Sequence, residues 1–205
     1  MLFQPIYFSP IAQYVAIANC QNIVLEVNDN YLKQTYRNRC YIYTARGKLL
    51  LNIPILHTRG SKQLSKEVKI DNYYNWQKQH FKTLESAYRS SPYFEFYEDD
   101  LRALYDMKHT YLLDLNLDCH EFVMDVLQED ISHTQTLVYE KEPVVTDFRS
   151  LAIVKNTRDF NNTPYIQVFD DKFGFIQNLS ILDLIFMEGP NSFTYLMKQK
   201  LKTTH

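Results

Sequence analysis

Apolar positions along this chain change their period several times, and each change marks a predicted element. Residues 1–3 are apolar and run into Gln4-Pro5-Ile6-Tyr7-Phe8-Ser9-Pro10. Pro10 suits the first position of a helix, with Ser9 as its N-cap. Ile11, Tyr14, Val15 and Ala18 then recur at helical spacing. The run 22–28 (NIVLEVN) is rich in β-branched and apolar residues and reads as a buried strand. Strand, sharp loop, helix, strand is a βαβ opening, which places the chain in the α/β class.

A period of two follows. Over 36–43, Arg37, Arg39, Tyr41 and Tyr43 share one face, while Tyr36, Asn38, Cys40 and Ile42 share the other. Thr44-Ala45-Arg46-Gly47 makes a turn, and 48–55 returns as the second strand of a hairpin. Residues 56–71, with Gly60 and Ser61, read as a loop followed by a short strand at 67–70. Helical spacing then takes over. Asn75 caps a helix to about residue 90 that carries Trp76, Phe81, Leu84 and Tyr88. Ser91-Pro92 starts another, with Tyr97, Leu101 and Leu104. Thr110 opens a third over 111–128, with Leu113, Leu117, Val123 and Leu127 inward. The stretch 130–165 is weakly patterned, with short strand candidates at 136–139 and 165–169. Gly174, a helix over 180–187, a break at Gly189-Pro190 and a basic helix to Lys202 complete the chain. With no repeat, low-complexity tract or linker, the expectation is one domain over 1–205. Its mixed sheet comes from 1–71 and 134–190, and the helical segment 72–130 covers it.

Charge sharpens this picture. Between residues 31 and 69 stand nine Lys or Arg and one acid, Glu67, so that segment carries +8 while the chain as a whole carries −2. Between 92 and 147 the balance inverts, with fourteen acids against three bases. Holding like charges together raises the folded state through self-repulsion unless the positive region faces something anionic. Lys33 has the parity of Arg37 and Arg39. Where the strand extends back that far, their side chains stand roughly 6.6 Å apart along one face, a spacing that grips successive groups of one polyanion. Arg presents a planar fork suited to phosphate or carboxylate oxygens. The structural counterpart of this reading is a pair of surface ion pairs with the acidic helices.

Composition excludes several classes. Hydrophobic residues make up 45% of 205 and aromatic residues 15%, a folded composition. The longest apolar runs, such as 49–51, fall far short of the roughly 20 residues that span a bilayer, and the Met-Leu-Phe-Gln-Pro start lacks a charged n-region and a cleavable h-region. No membrane partner is expected. Three cysteines, Cys20, Cys40 and Cys119, read as reduced thiols of a cytoplasmic protein. A pI near 6.3 argues against a nucleic-acid binder. Only four glycines exist, so neither Gly-rich phosphate loop can be written, and a phosphate must be gripped by cationic side chains and helix N-termini.

Other candidates are local. Gln4 and Tyr7 place an amide and a phenol where the first strand hands over to the first helix, the crevice in which open α/β sheets bind ligands; a proline-stiffened loop would look the same. Trp76 and His80 are neighbours at i, i+4, and His80 is a candidate general base, although a lone helical histidine is more often structural. Asn178 and Ser180-x-x-Asp183 form a capping box or a close variant, or a helix start that binds an anion, with Asp183 orienting a hydroxyl or amine. Histidine spacing shows no ligand set and Cys119-His120 alone defines no site, so no metal is predicted and no cofactor is named.

Together, Gln4-Pro-x-Tyr-x-x-Pro10, Arg37-Asn38-Arg39, the Leu-x-x-Pro strand ending at Pro54, and Trp76-x-x-x-His80-x-x-x-Leu84 leading to Tyr88 and Pro92 resemble the WbqC-like family. The tail 174–190 looks like that family's closing signature. The resemblance implies a role in surface-polysaccharide or nucleotide-sugar metabolism, with transfer of an acyl or aminoacyl group to an amino sugar. It differs from longer members in 130–165, which lacks their Gly- and Tyr-bearing segment. On this reading Lys33, Arg37 and Arg39 bind phosphates of an anionic small molecule, Gln4 and Tyr7 hydrogen-bond the bound group, Trp76, Tyr88 and Ser180 line the site, His80 moves a proton, and Asn178 with Asp183 positions the acceptor. A non-catalytic adaptor using the acidic half and the basic hairpin is the alternative, and the same halves leave a homo-oligomer open. Nucleotidyl transfer is a second alternative, by analogy of fold alone.

Overall fold

The computed structural model describes residues 1–56, 62–157 and 160–201. In chain order its elements are β1 (Leu2–Phe3), α1 (Ile11–Ala18), β2 (Asn22–Leu25), β3 (Arg39–Thr44), β4 (Gly47–Asn52), α2 (Trp76–Tyr88), α3 (Phe94–Asp106), α4 (Leu112–Leu127), β5 (Ser132–Gln135), α5 (Asp170–Phe173), α6 (Ile181–Glu188) and α7 (Ser192–Met197). The βαβ opening forms as the pattern predicts: β1 and β2 are parallel, with Leu2 opposite Val24 and Phe3 opposite Leu25. On the other side of β2 lies β5, also parallel, so the sheet order is β1-β2-β5. β2 stops at Leu25, short of the expected 28, because the Glu26 carboxylate accepts the Asn28 backbone N–H at 2.8 Å and closes a turn. β5 lies four residues before the strand expected at 136–139. The expected strand at 165–169 is not one; Tyr165 and Gln167 spend their polar groups on α6 and on residue 176.

The hairpin forms with Thr44 opposite Gly47 and Arg39 opposite Asn52. Gly47 takes φ +92, a left-handed conformation that the turn requires and that glycine adopts without strain. The strand begins at Arg39 rather than at 36, which removes Lys33 and Arg37 from the ladder. The short strand expected at 67–70 reduces to single bridges, Ile55 to Ile70 and Lys69 to Tyr111, after a 3₁₀ turn at Ser65–Glu67. Of the loop around them, Arg59, Gly60 and Ser61 lie outside the described residues, as does Lys202 of the expected last helix.

The helical segment is present, with shifted phase in α4. Leu112, Leu115, Cys119 and Val123 are inward there, whereas Leu113 and Leu117 are only half-buried. α1 is buried on every face. Its seven apolar residues join one core with Phe3, Ile42, Trp76, Leu84, Phe94, Leu101, Leu184, Phe186 and Leu196, so both chain ends and the middle helices meet around it. The expected Ser9 cap is absent: Pro10 holds the N-cap position and Ser9 Oγ is buried without a partner. Asn75 likewise occupies the cap position of α2 without a side-chain bond. Cys20, Cys40 and Cys119 are free thiols. Among the described residues, no helix is long and apolar enough to cross a membrane.

Candidate functional site

Arg37 and Arg39, two residues apart, have different surroundings. Arg37 is buried and its Nη2 meets Asp29 Oδ2 at 2.5 Å. Asp29 also accepts Gln4 Nε2 at 2.9 Å and Ser65 Oγ at 2.5 Å. Gln4 and Arg37 therefore share a sealed carboxylate network, and the void beside them, about 10 Å³, is too small for a ligand. Gripping one polyanion with Lys33, Arg37 and Arg39 together is not what the structure shows. Arg37 already has its carboxylate, from an acid just outside the basic segment.

Tyr7 and His80 meet in the core. Tyr7 OH lies 2.9 Å from His80 Nδ1 and hydrogen-bonds the Tyr105 hydroxyl; Tyr7 is wholly buried, and His80 is 7% exposed. Burial pushes the His80 pKa down to about 4, and a hydrogen bond to the Asn52 backbone partly opposes this. A bond that raises a histidine's pKa is one the ring donates. The ring is thus neutral, donates to the Asn52 carbonyl and accepts from Tyr7. Trp76 packs edge-on against His80, and its Nε1–H donates to Asn72 Oδ1 at 3.2 Å. None of these groups lines any of the five main cavities among the described residues. They form a polar seam in the core, and the placing of Tyr7, Trp76 and His80 at a ligand is corrected accordingly.

The tail residues are structural anchors. Ser180 caps α6, accepting Leu182 N–H at 3.3 Å, and donates to the Phe8 carbonyl at 2.8 Å. Phe8 sits at φ +34, an unusual conformation for a bulky residue, and this bond helps to hold it. Asp183 does not reach back to complete a capping box. Its carboxylate, fully buried, instead accepts Tyr88 OH at 2.7 Å, Tyr165 OH at 2.5 Å and Gln167 Nε2 at 2.9 Å. Burial raises its pKa and the three hydrogen bonds oppose this. The Gln167 amide then clamps residue 176 through both backbone groups, at 3.0 and 2.8 Å. Asn178 Oδ1 accepts the Ala12 N–H at 2.9 Å, and the Leu179 carbonyl accepts that of Ile11 at 3.0 Å. The N-terminus of α1, beside the crevice where a ligand was expected, is filled by the chain itself.

Two adjoining cavities contain four basic residues that the core did not absorb, Lys33, Arg39, Lys48 and Lys155. One, about 420 Å³, is lined by Lys33, Thr35, Arg39, Tyr41, Val154 and Lys155 among others. The second, about 390 Å³, is lined by Tyr36, Tyr41, Lys48, Val154, Thr157, Ile176, Gln177 and Asn178. Tyr41 and Val154 belong to both, so the chambers share a wall. That wall is held by a satellite apolar cluster of Ile6, Tyr36 and Ala152, with Tyr36 and Tyr41 edge to face at 6.2 Å. The segment opposite the hairpin is carried by 3₁₀ turns at Arg149–Ala152 and Val154–Thr157. A bridge from Thr35 to Ile153 and a bond from Tyr36 N–H to the Ala152 carbonyl tie it down. Tyr36 OH and Thr157 Oγ1 are 3.1 Å apart.

No carboxylate lines either chamber. Lys33, Arg39, Lys48 and Lys155 form no ion pair among the described residues. Arg39 is half-buried and its Nε is buried without a hydrogen-bond partner. Lys48 Nζ stands 4.5 Å from the Tyr41 ring centroid, and burial lowers its pKa. A larger cleft of about 490 Å³ between α3 and α4 has the opposite character, with Asp100, Asp118, Glu121 and Asp125 around an apolar floor. Of the sequence-predicted site residues, Lys33 and Arg39 share one chamber, Asn178 lines the other, and the rest belong to the core or to the sealed void. Lys48, Lys155, Thr35 and Gln177 were missed. Tyr41 shares the parity of Arg39 and was legible on that ground; Lys155 lies in a stretch with no periodic signal.

A model of the WbqC-like protein family matches residues 4–158. That span takes in the basic hairpin, the three middle helices and Lys155, and it ends before 174–190, the stretch read as a closing signature. No curated protein and no solved structure matches the chain.

Proposed function

The chain belongs to the WbqC-like protein family, and from that premise we propose that it binds a phosphate-bearing small molecule in the two-chambered groove around Tyr41, as an enzyme of surface-polysaccharide or nucleotide-sugar metabolism. One observation carries this reading: Arg39 is half-buried, lacks a carboxylate partner and faces a chamber with two lysines and no acid. A partly desolvated guanidinium without a counterion is costly, and an anion in that chamber supplies the missing partner in the bidentate geometry arginine favours. Lys33 and Lys155 add charge. The Lys48 chamber is walled by hydroxyl and amide groups suited to a neutral, hydroxyl-bearing remainder of the same ligand. Transfer of an acyl or aminoacyl group to an amino sugar is the reaction we assign to it. His80, sealed in the core, is left out of the chemistry.

The acidic cleft between α3 and α4 favours a second reading, an adaptor that docks a cationic partner there. Thermal unfolding with pyrophosphate, nucleotides and nucleotide sugars separates the two. A ligand at 100 times its Kd stabilises by about 2.7 kcal/mol, and Arg39→Ala is expected to abolish that gain while leaving the unliganded midpoint nearly unchanged. If no member of the panel shifts the wild-type midpoint, the groove is not an anion site and the adaptor reading takes its place.

A further inference from the structure

We propose that Lys48 is a reactive amine that condenses with the carbonyl group of a phosphate-bearing carbonyl compound, the anionic end of that compound being held by Lys33, Arg39 and Lys155. The inference rests on the anion-binding reading above and adds a covalent site to it. Placement is the first argument. Lys48 enters the chamber next to the one that holds three cations, and only the Tyr41–Val154 wall separates them. A ligand anchored at Arg39 and reaching across Tyr41 arrives at the Lys48 amine. The amine also has no ion-pair partner among the described residues, and no carboxylate lines its chamber to hold it as an ammonium. The Tyr41 face positions the amine at 4.5 Å, a cation–π contact that favours the charged form but takes neither a proton nor the lone pair. Lys48 is exposed along β4, and the desolvation its amine does meet lowers its pKa by disfavouring the charged form.

The step balances without a further reactant. The neutral Nζ attacks the carbonyl carbon, a C–N bond forms, and the π pair moves to oxygen, which takes up a proton. The nitrogen gives up its protons, water leaves, and a C=N bond remains. Tyr36 and Thr157 hydroxyls line the same chamber and can pass these protons.

Pyridoxal 5′-phosphate serves as the probe because it joins an aldehyde to a phosphate; borohydride reduction fixes any imine, and peptide mass mapping locates it. Lys48 should be labelled at least tenfold faster than Lys82 and Lys141, which are exposed as it is. Inorganic pyrophosphate should protect it, and pyridoxal without phosphate should lose the preference. Lys48→Arg should remove the labelled peptide while pyrophosphate still binds. Labelling of Lys48 no faster than Lys82 or Lys141, or label settling on Lys33 or Lys155 instead, overturns the inference. Equal rates with pyridoxal overturn it as well, because the anion then plays no part in delivery. Calorimetry keeps the two readings apart. Pyrophosphate that binds the wild-type protein beside an unreactive Lys48 defeats only this inference, whereas pyrophosphate that does not bind defeats the proposed function.

Discussion

At the scale of single residues, burial decides what each polar group can do. Arg37 and Arg39 are the same residue type two positions apart, yet one is consumed by Asp29 and the other faces open space. The charge count that suggested a shared grip began at residue 31 and so left out Asp29, the acid that neutralises Arg37. His80 shows the same effect on chemistry. Burial holds it neutral, with a pKa near 4, and His120 is likewise pushed down to about 4. Both are charged in the unfolded chain below about 6.5. The unfolded state therefore binds more protons than the folded one between pH 6.5 and 4, and stability must fall as pH falls through that window. Each histidine contributes on the order of 3 kcal/mol to the loss. Asp183, with its raised pKa, acts with the opposite sign: acidification toward the ordinary carboxylate value relieves its buried charge. Urea midpoints are expected to drop between pH 7 and 4.5, and less steeply in His80→Gln. A midpoint independent of pH there would contradict neutral buried imidazoles.

Among elements, the start of α1 was predicted with a local cap, but distant residues supply it, whereas α6 keeps its own Ser180. α1 is started by Asn178 and Leu179, which accept from Ala12 and Ile11, and not by its neighbour Ser9. Asn178 itself adopts φ +51, a left-handed conformation that asparagine tolerates better than alanine. Asn178→Ala thus removes a cap and adds backbone strain, and should cost about 2 kcal/mol in chemical unfolding. Ser9→Ala removes a buried hydroxyl without a partner and should change stability by less than about 0.5 kcal/mol. Reversal of that order would mean that α1 is capped locally after all. The hairpin was legible because a period of two and a Gly-bearing turn are local signals. The true strand start at Arg39 was not, since the residues before it pair instead with the Ala152 segment.

For the whole molecule, the core draws on residues from Phe3 to Leu196 around α1, so the opening strands, the middle helices and the tail share one apolar cluster. Cooperative unfolding is the expected consequence. Trp76 is the only tryptophan and is 3% exposed in α2. Its fluorescence should therefore follow the same urea transition as far-ultraviolet circular dichroism. Separated midpoints would show that the helical segment unfolds apart from the sheet. The charge partition also takes its shape here. Four acids of α3 and α4 line one cleft, and Lys33, Arg39, Lys48 and Lys155 line the groove around Tyr41.

The sequence by itself determined the α/β class, the βαβ start, the basic hairpin, the three middle helices and the resemblance that the family match bears out, because periodicity, turn residues and ordered motifs are properties of neighbours along the chain. Which cations stay free was decided only by tertiary structure. Asp29 reaches Arg37, Gln167 and Asp183 fix the wall at residue 176, and a stretch without pattern brings Lys155 beside Arg39. Those pairings depend on distance in space, and strand and helix periods carry no record of it.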